Sequence, residues 1–262
     1  MVVTFPIRGG ATDKPVSPSR PAQVVLKDHH FDDASQDIAK HSAEPIKSVE
    51  DIIKVQEYFI KNKKYRDNLL FTLGINVGLR CGDLVQVKVG HLLTEDGSSY
   101  RDSFTIREGK TNKVRTCYLN DAVYDAADLY FANAGEVSLN DFLFKSASTR
   151  DKDIDQPLSV VSVERILKAA INDECQLSVR ASTHCLRKTF AYHVIMTAQD
   201  RSRAIEFLQK ILGHSSQSIT LRYAGITDDE IRETYKGLCL GKASPFGWTA
   251  HPYSNDKEVA AG

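Results

Sequence analysis

The sequence carries no excess of charge of either sign: 34 Lys and Arg stand against 34 Asp and Glu in 262 residues. That excludes a domain held to nucleic acid by bulk positive charge. A local patch of arginines and lysines can still grip phosphates while acids elsewhere cancel the total. No stretch approaches the ~18 consecutive apolar residues that span a bilayer, and Met1–Gly10 lacks a basic region followed by an apolar run. A cytoplasmic protein with no membrane partner is expected. The five cysteines, Cys81, Cys117, Cys175, Cys185 and Cys239, stand singly without a C-x-x-C pair, which removes a disulfide framework. No two of the eight histidines have the H-x-x-x-H spacing of a helical zinc site. A G-x-x-x-x-G-K-[ST] phosphate loop is also missing. Neither a metal nor a cofactor is expected.

What is present divides the chain. Residues 1–46 hold Pro6, Pro15, Pro18, Pro21 and Pro45 among scattered charges, with no sustained period, and read as largely disordered apart from short helical turns near Asp32–His41. Order is expected from Ser48, an N-cap ahead of Ile52, Ile53, Val55, Tyr58, Phe59 and Ile60. A second helix spans about Tyr65 to Leu79 and ends near Gly78, and a short one covers Gly82–Val87. Ser103–Arg107 and Val114–Leu119 alternate around a lysine-rich turn, Gly109–Lys113, and predict a β-hairpin. Helices follow over Asp121–Ala132, Ser159–Asp173, Ser182–Ala198, Arg201–Leu212, Ser218–Tyr223 and Asp228–Leu240, with Asp121, Ser159, Ser182 and Asp228 as caps. The expected fold is mainly α with one small antiparallel β-sheet, in a domain over 47–242 followed by a polar C-terminal tail, 243–262.

Three separated segments carry chemistry-bearing residues: Gly78-Leu79-Arg80-Cys81-Gly82-Asp83-Leu84, Thr183-His184-Cys185-Leu186-Arg187-Lys188, and Leu212-Gly213-His214-Ser215-Ser216 with Tyr223 nine residues after His214. Each alone has an ordinary structural explanation. Arg80 can pair with Asp83, His184 and Arg187 share a helix face as i and i+3, His214 can meet a helix dipole, and Tyr223 can be half-buried core. Together they supply a phenol, two guanidiniums, two imidazoles and a hairpin lysine in one domain.

In this order and spacing the chain resembles the tyrosine recombinase family, also called phage integrases, over about Ser48 to Leu240. Arg80 in G-L-R-x-x-D-L matches the family's first arginine and Lys110 its hairpin lysine. His184 and Arg187 match the His-x-x-Arg pair, His214 in L-G-H-S-S the second histidine, and Tyr223 the nucleophile. The resemblance implies the family's DNA breaking-and-rejoining catalytic fold and site-specific cleavage of double-stranded DNA through a 3′-phosphotyrosine. The phosphodiester transition state concentrates negative charge on the non-bridging oxygens. Arg80 and Arg187 suit it, because a guanidinium stays protonated and donates two parallel hydrogen bonds. A phenol with an ordinary pKa of about 10 needs a base or nearby positive charge, for which His184 is the candidate. The resemblance makes Lys110 the acid that protonates the leaving 5′ oxygen, with Lys113 as the alternative on the same hairpin. His214 would hydrogen-bond the phosphate. Asp83 either orients the clamp or is structural.

Lys113, Arg115, Lys188, Arg201, Arg203 and Arg222 are candidate DNA-backbone contacts, each equally readable as a solvated charge. Family members clamp DNA between this domain and a separate helical one. Residues 1–46 are too few and too polar to supply that second half, so an accessory DNA-binding protein is a possible partner. A DNA-bound homo-tetramer is implied. Asp228–Leu240 would pack on a neighbour or on its own domain. Two other functions stay open at this point: DNA relaxation of the related topoisomerase IB type, and a DNA-binding accessory protein derived from a recombinase.

Overall fold

The computed structural model describes residues 2–5, 22–25, 43–146, 156–226 and 235. The chain forms two units, Met1–Ser42 and Ala43–Gly262. In the first, β1 (Val2–Phe5) pairs antiparallel with β2 (Ala22–Val25), Val2 opposite Val25. This corrects the expectation of disorder at these two strands. Both are rich in β-branched residues, and the prolines and glycines lie between them, not inside them. The turns expected near Asp32–His41, the helix Asp228–Leu240 apart from Tyr235, and the tail 243–262 lie outside the described residues.

Order in the second unit begins before Ser48. Ile46 is fully buried, and its N–H donates to Thr189 Oγ1 at 2.9 Å. Helices α1 (Val49–Lys61) and α2 (Tyr65–Val77) lead to two single turns, α3 (Cys81–Leu84) and α4 (Val89–Leu92). Strands β3 (Ser103–Arg107) and β4 (Val114–Tyr118) form the expected hairpin, with Ser103 opposite Tyr118 and Arg107 opposite Val114. Then come α5 (Asp121–Ala134) and α6 (Val160–Lys168), the latter running into a π-helical turn, Ala169–Glu174. The chain continues through α7 (Thr183–Thr197), α8 (Arg201–Leu212) and α9 (Gln217–Ala224). Among the described residues, no helix is long and apolar enough to cross a membrane.

Short polar side chains start these helices by accepting the exposed N–H groups of the first turn. Ser48, Asn120, Ser159, Ser182, Asp200 and Ser216 all do so, and Asn120 takes the place expected for Asp121. Two of the helices end on a glycine in the left-handed region that positions the site: Gly78 after α2 (φ +59) and Gly213 after α8 (φ +68).

Helix α2 is the centre of the main core. Leu69, Leu70, Phe71 and Leu73 are wholly buried, which is why its apolar residues run round the helix instead of along one stripe. A second, smaller cluster gathers Ala191, Ile195, Leu208, Leu212 and Ala224 from α7, α8 and α9, with Ile226 just beyond α9. Helix α7 belongs to both, since Cys185 and Leu186 in its first turn lie in the main core.

A Cβ at Gly78 would meet the Phe190 ring at 2.2 Å, at a backbone angle that side chains avoid. Gly78→Ala should therefore cost about 2–4 kcal/mol, read as a lowered midpoint in urea unfolding.

Candidate active site

The site is assembled where the ends of α2 and α8, the starts of α3 and α7, the hairpin tip and α9 converge. Arg187, in the second turn of α7, lies beneath it and is only 3 % exposed. Its Nη1 donates to the Gly78 carbonyl at 2.8 Å and its Nη2 to the Leu212 carbonyl at 2.9 Å. Burial pushes this guanidinium down to about 10, with Tyr223 opposing the shift and Arg80 and Arg115 adding to it. It is still cationic at neutral pH.

Arg80 caps the start of α3 with extended backbone. It pairs not with Asp83, three residues on, but with Glu108 at the end of β3, Nη1 to Oε2 at 2.8 Å. Asp83 Oδ1 accepts instead from the Gly109 N–H at 2.8 Å, so its role is to hold the hairpin tip. Lys110 is exposed at that tip.

Tyr223 lies in the last turn of α9. Its hydroxyl is 3.4 Å from His184 Nδ1, its ring meets His214 edge to face at 5.1 Å between centroids, and the Lys188 ammonium sits 5.4 Å over its centre. Burial raises the phenol above its ordinary value, while Arg187 and Arg80 pull it back. Both imidazoles are lowered, by burial first. Lys188, Arg187, Arg80 and Lys110 add to this at His184, and Arg187 and Arg80 at His214. A lowered His184 is a neutral imidazole at pH 7, able to accept a proton.

The tautomer of His214 follows from its partner. Thr220 spends its single hydroxyl proton on the Ser216 carbonyl at 3.2 Å, so its oxygen accepts from His214 Nδ1 at 3.1 Å. That leaves Nε2 without a proton in the neutral ring.

The structure thus brings Arg80, His184, Arg187, His214 and Tyr223 together, with Lys110 close enough to act on His184 electrostatically. Of the other expected cations, Lys113, Arg203 and Arg222 are exposed. Arg203 packs over Phe207. Arg201 is also exposed. Two depart from the expectation of a DNA-facing surface. Arg115 turns inward to donate to the Val77 and Gly78 carbonyls, and Lys188 donates to the Ala43 carbonyl at 2.7 Å. Sequence reasoning missed Glu108 altogether. Its signal was there, since Glu108 continues the inward alternation of Phe104 and Ile106. Cys81 and Cys185 are raised to about 12 by burial and stay protonated thiols. Among the described residues no group of three His, Cys, Asp or Glu side chains is placed to hold a metal ion.

A phenol set among two guanidiniums and two imidazoles agrees with the comparison to known proteins, where the phage integrase family profile matches residues 46–230. The chain belongs to the phage integrase family. It is 37% identical over 196 residues to the probable integrase/recombinase YoeC of Bacillus subtilis, covering 75% of this chain and 97% of that one. It is 32% identical over 170 residues to the tyrosine recombinase XerC of Caldanaerobacter subterraneus, 65% of this chain but only 44% of that protein. The fold is shared with the XerA recombinase crystal structure (TM-score 0.56, 22% identity, 76% of this chain and 66% of that one). It is shared too with XerH bound to its difH substrate (TM-score 0.54, 20% identity, 74% and 53%). As a member of this family the chain is a tyrosine recombinase catalytic domain, and the mainly helical fold with its small antiparallel hairpin is the family's.

The lowered imidazoles fix a pH dependence. Below the ordinary histidine value of 6.5 the unfolded chain binds more protons than the folded one, so stability is lost as pH falls through that value and levels off below the folded pKa values. Urea unfolding at about pH 7.5 and about pH 5.5 should show this loss, and a His184→Gln/His214→Gln variant should lose less between the same two pH values.

Proposed function

We propose that the chain cleaves and rejoins double-stranded DNA at a specific site, with Tyr223 as nucleophile. The observation that carries the reading is the Tyr223 hydroxyl 3.4 Å from a neutral His184, in the field of the Arg187 and Arg80 guanidiniums.

The scissile phosphate would sit against Arg80 and Arg187, which neutralise the charge that develops on its non-bridging oxygens. His184 takes the phenolic proton and the Tyr223 oxygen bonds to phosphorus. The bond to the 5′ oxygen breaks, and Lys110 supplies that oxygen with its proton. The product is a 3′-phosphotyrosine and a free 5′-hydroxyl. A 5′-hydroxyl of a second strand reverses every step, so rejoining needs no nucleotide hydrolysis. The bound phosphate favours protonation of His214, whose Nε2 then becomes a donor to it. The named relatives are recombinases and integrases, which favours exchange of strands over relaxation.

The same reading has Lys113, Arg203 and Arg222 meeting the DNA backbone, with Arg201 beside them, and places the reaction in the cytoplasm. The domain would comprise 47–242, between a 1–46 segment and a polar tail, 243–262. Copies assemble on DNA, as a tetramer, and an accessory DNA-binding protein can join them.

A pool of nicked, labelled duplexes with randomised flanks tests this. The full chain should yield a protease-sensitive DNA adduct on denaturing gels, and sequencing of the adducts should converge on one site. Tyr223→Phe should yield no adduct, and Lys110→Ala should slow its formation about 100-fold. DNA binding without an adduct on any duplex of the pool would sink the assignment.

A further inference from the structure

Two buried carboxylates that carry no step of the chemistry lie against the Arg80 segment: Asp83 and Glu108, 8% and 6% exposed. Each is tied to the hairpin tip. Asp83 accepts from the Gly109 N–H at 2.8 Å. One oxygen of Glu108 accepts from Arg80 Nη1 and from Thr111 Oγ1, both at 2.8 Å. Its other oxygen faces Arg115 Nη1 at 3.8 Å. Lys110 is therefore flanked on both sides by residues anchored to carboxylates, and one of those carboxylates also holds Arg80.

The arrangement matters because a lysine ammonium rides on a flexible four-carbon stem. Proton transfer is sensitive to misplacement of about 1 Å, so the backbone at 109–111 has to be fixed relative to the phosphate clamp. Burial works to raise the Glu108 carboxyl, yet the Thr111 hydroxyl and the Arg80 guanidinium outweigh it and keep the group ionised. An ionised carboxylate beside the clamp repels the incoming phosphate. Any gain it brings to cleavage must come through position and not through charge.

We propose that Glu108 is a positioning residue for strand cleavage, joining the Lys110 turn to Arg80 so that the proton donor and the phosphate clamp hold one geometry. This rests on the reading of Lys110 as the acid.

The site recovered from the randomised pool would be synthesised as an ordinary phosphodiester, with sulfur replacing the bridging 5′ oxygen, and with a methylphosphonate at the scissile position. A thiol ionises at about pH 8.5, so a 5′ thiolate departs without a proton donor. The methylphosphonate instead removes the charge that the arginines neutralise. Glu108→Gln should cut the ordinary strand about 100-fold more slowly and the sulfur strand within a few-fold of the unaltered chain. Thr111→Val, which keeps the Arg80–Glu108 pair and severs only the tip, should show the same pattern more weakly. Lys110→Ala is the control. If sulfur fails to restore it, the acid assignment falls and the proposal with it. If sulfur restores Lys110→Ala but neither Glu108→Gln nor Thr111→Val, the proposal alone is overturned. Restoration of Glu108→Gln by the methylphosphonate and not by sulfur overturns it as well, because Glu108 would then serve Arg80 only.

Discussion

A single buried cation holds this site together. Among the described residues, Arg187 has no carboxylate in hydrogen-bonding contact. Its charge is met by carbonyls at the C-terminal ends of two helices, Gly78 after α2 and Leu212 at the end of α8. Helix C-termini carry unsatisfied carbonyls and about half a negative charge, so each stabilises a guanidinium that would otherwise be too costly to bury. The same two hydrogen bonds set distances along the chain. Arg80 follows Gly78 by two residues and His214 follows Leu212 by two, so fixing those carbonyls around Arg187 also fixes where the second arginine and the second histidine begin.

This explains how a chain without net charge contains a strongly cationic pocket. Arg80 lies close enough to depress both Arg115 and Arg187, and Arg115 adds to the effect on Arg187; the three are balanced locally by Glu108 and by backbone carbonyls. A sum over the sequence cannot register this, because the balance is struck within a few ångströms and not across the molecule. The cost of crowding three guanidiniums is met before any DNA arrives, as electrostatic preorganisation requires.

The parts of the site that could be read from the sequence are those defined by local spacing. Arg80 next to a helix-ending glycine, His184 and Arg187 on one helix face, and Lys110 in a turn between alternating strands all keep their neighbours in the fold. The long-range partners were not legible. Arg80 was set against Asp83 because they are three residues apart, whereas its partner Glu108 lies across the hairpin. Arg115 and Lys188 look like surface cations in sequence, and both turn inward to donate to backbone carbonyls, Arg115 to those of Val77 and Gly78 and Lys188 to that of Ala43. The strands Val2–Phe5 and Ala22–Val25 were hidden by the intervening prolines, which dominate the composition of a segment whose two apolar ends pair.

The division of the interior into two clusters has a consequence for how the activity would be lost. Arg80, Lys110 and His184 are borne by the main core, whereas Tyr223 and His214 belong to elements packed in the small cluster of α7, α8 and α9. A small apolar cluster opens at a lower free energy than a large one. Tyr223 is therefore expected to leave its partners in local excursions that leave the rest of the domain folded. On warming, the contacts around Tyr223 would be lost in a transition of their own, below the temperature at which the main core melts.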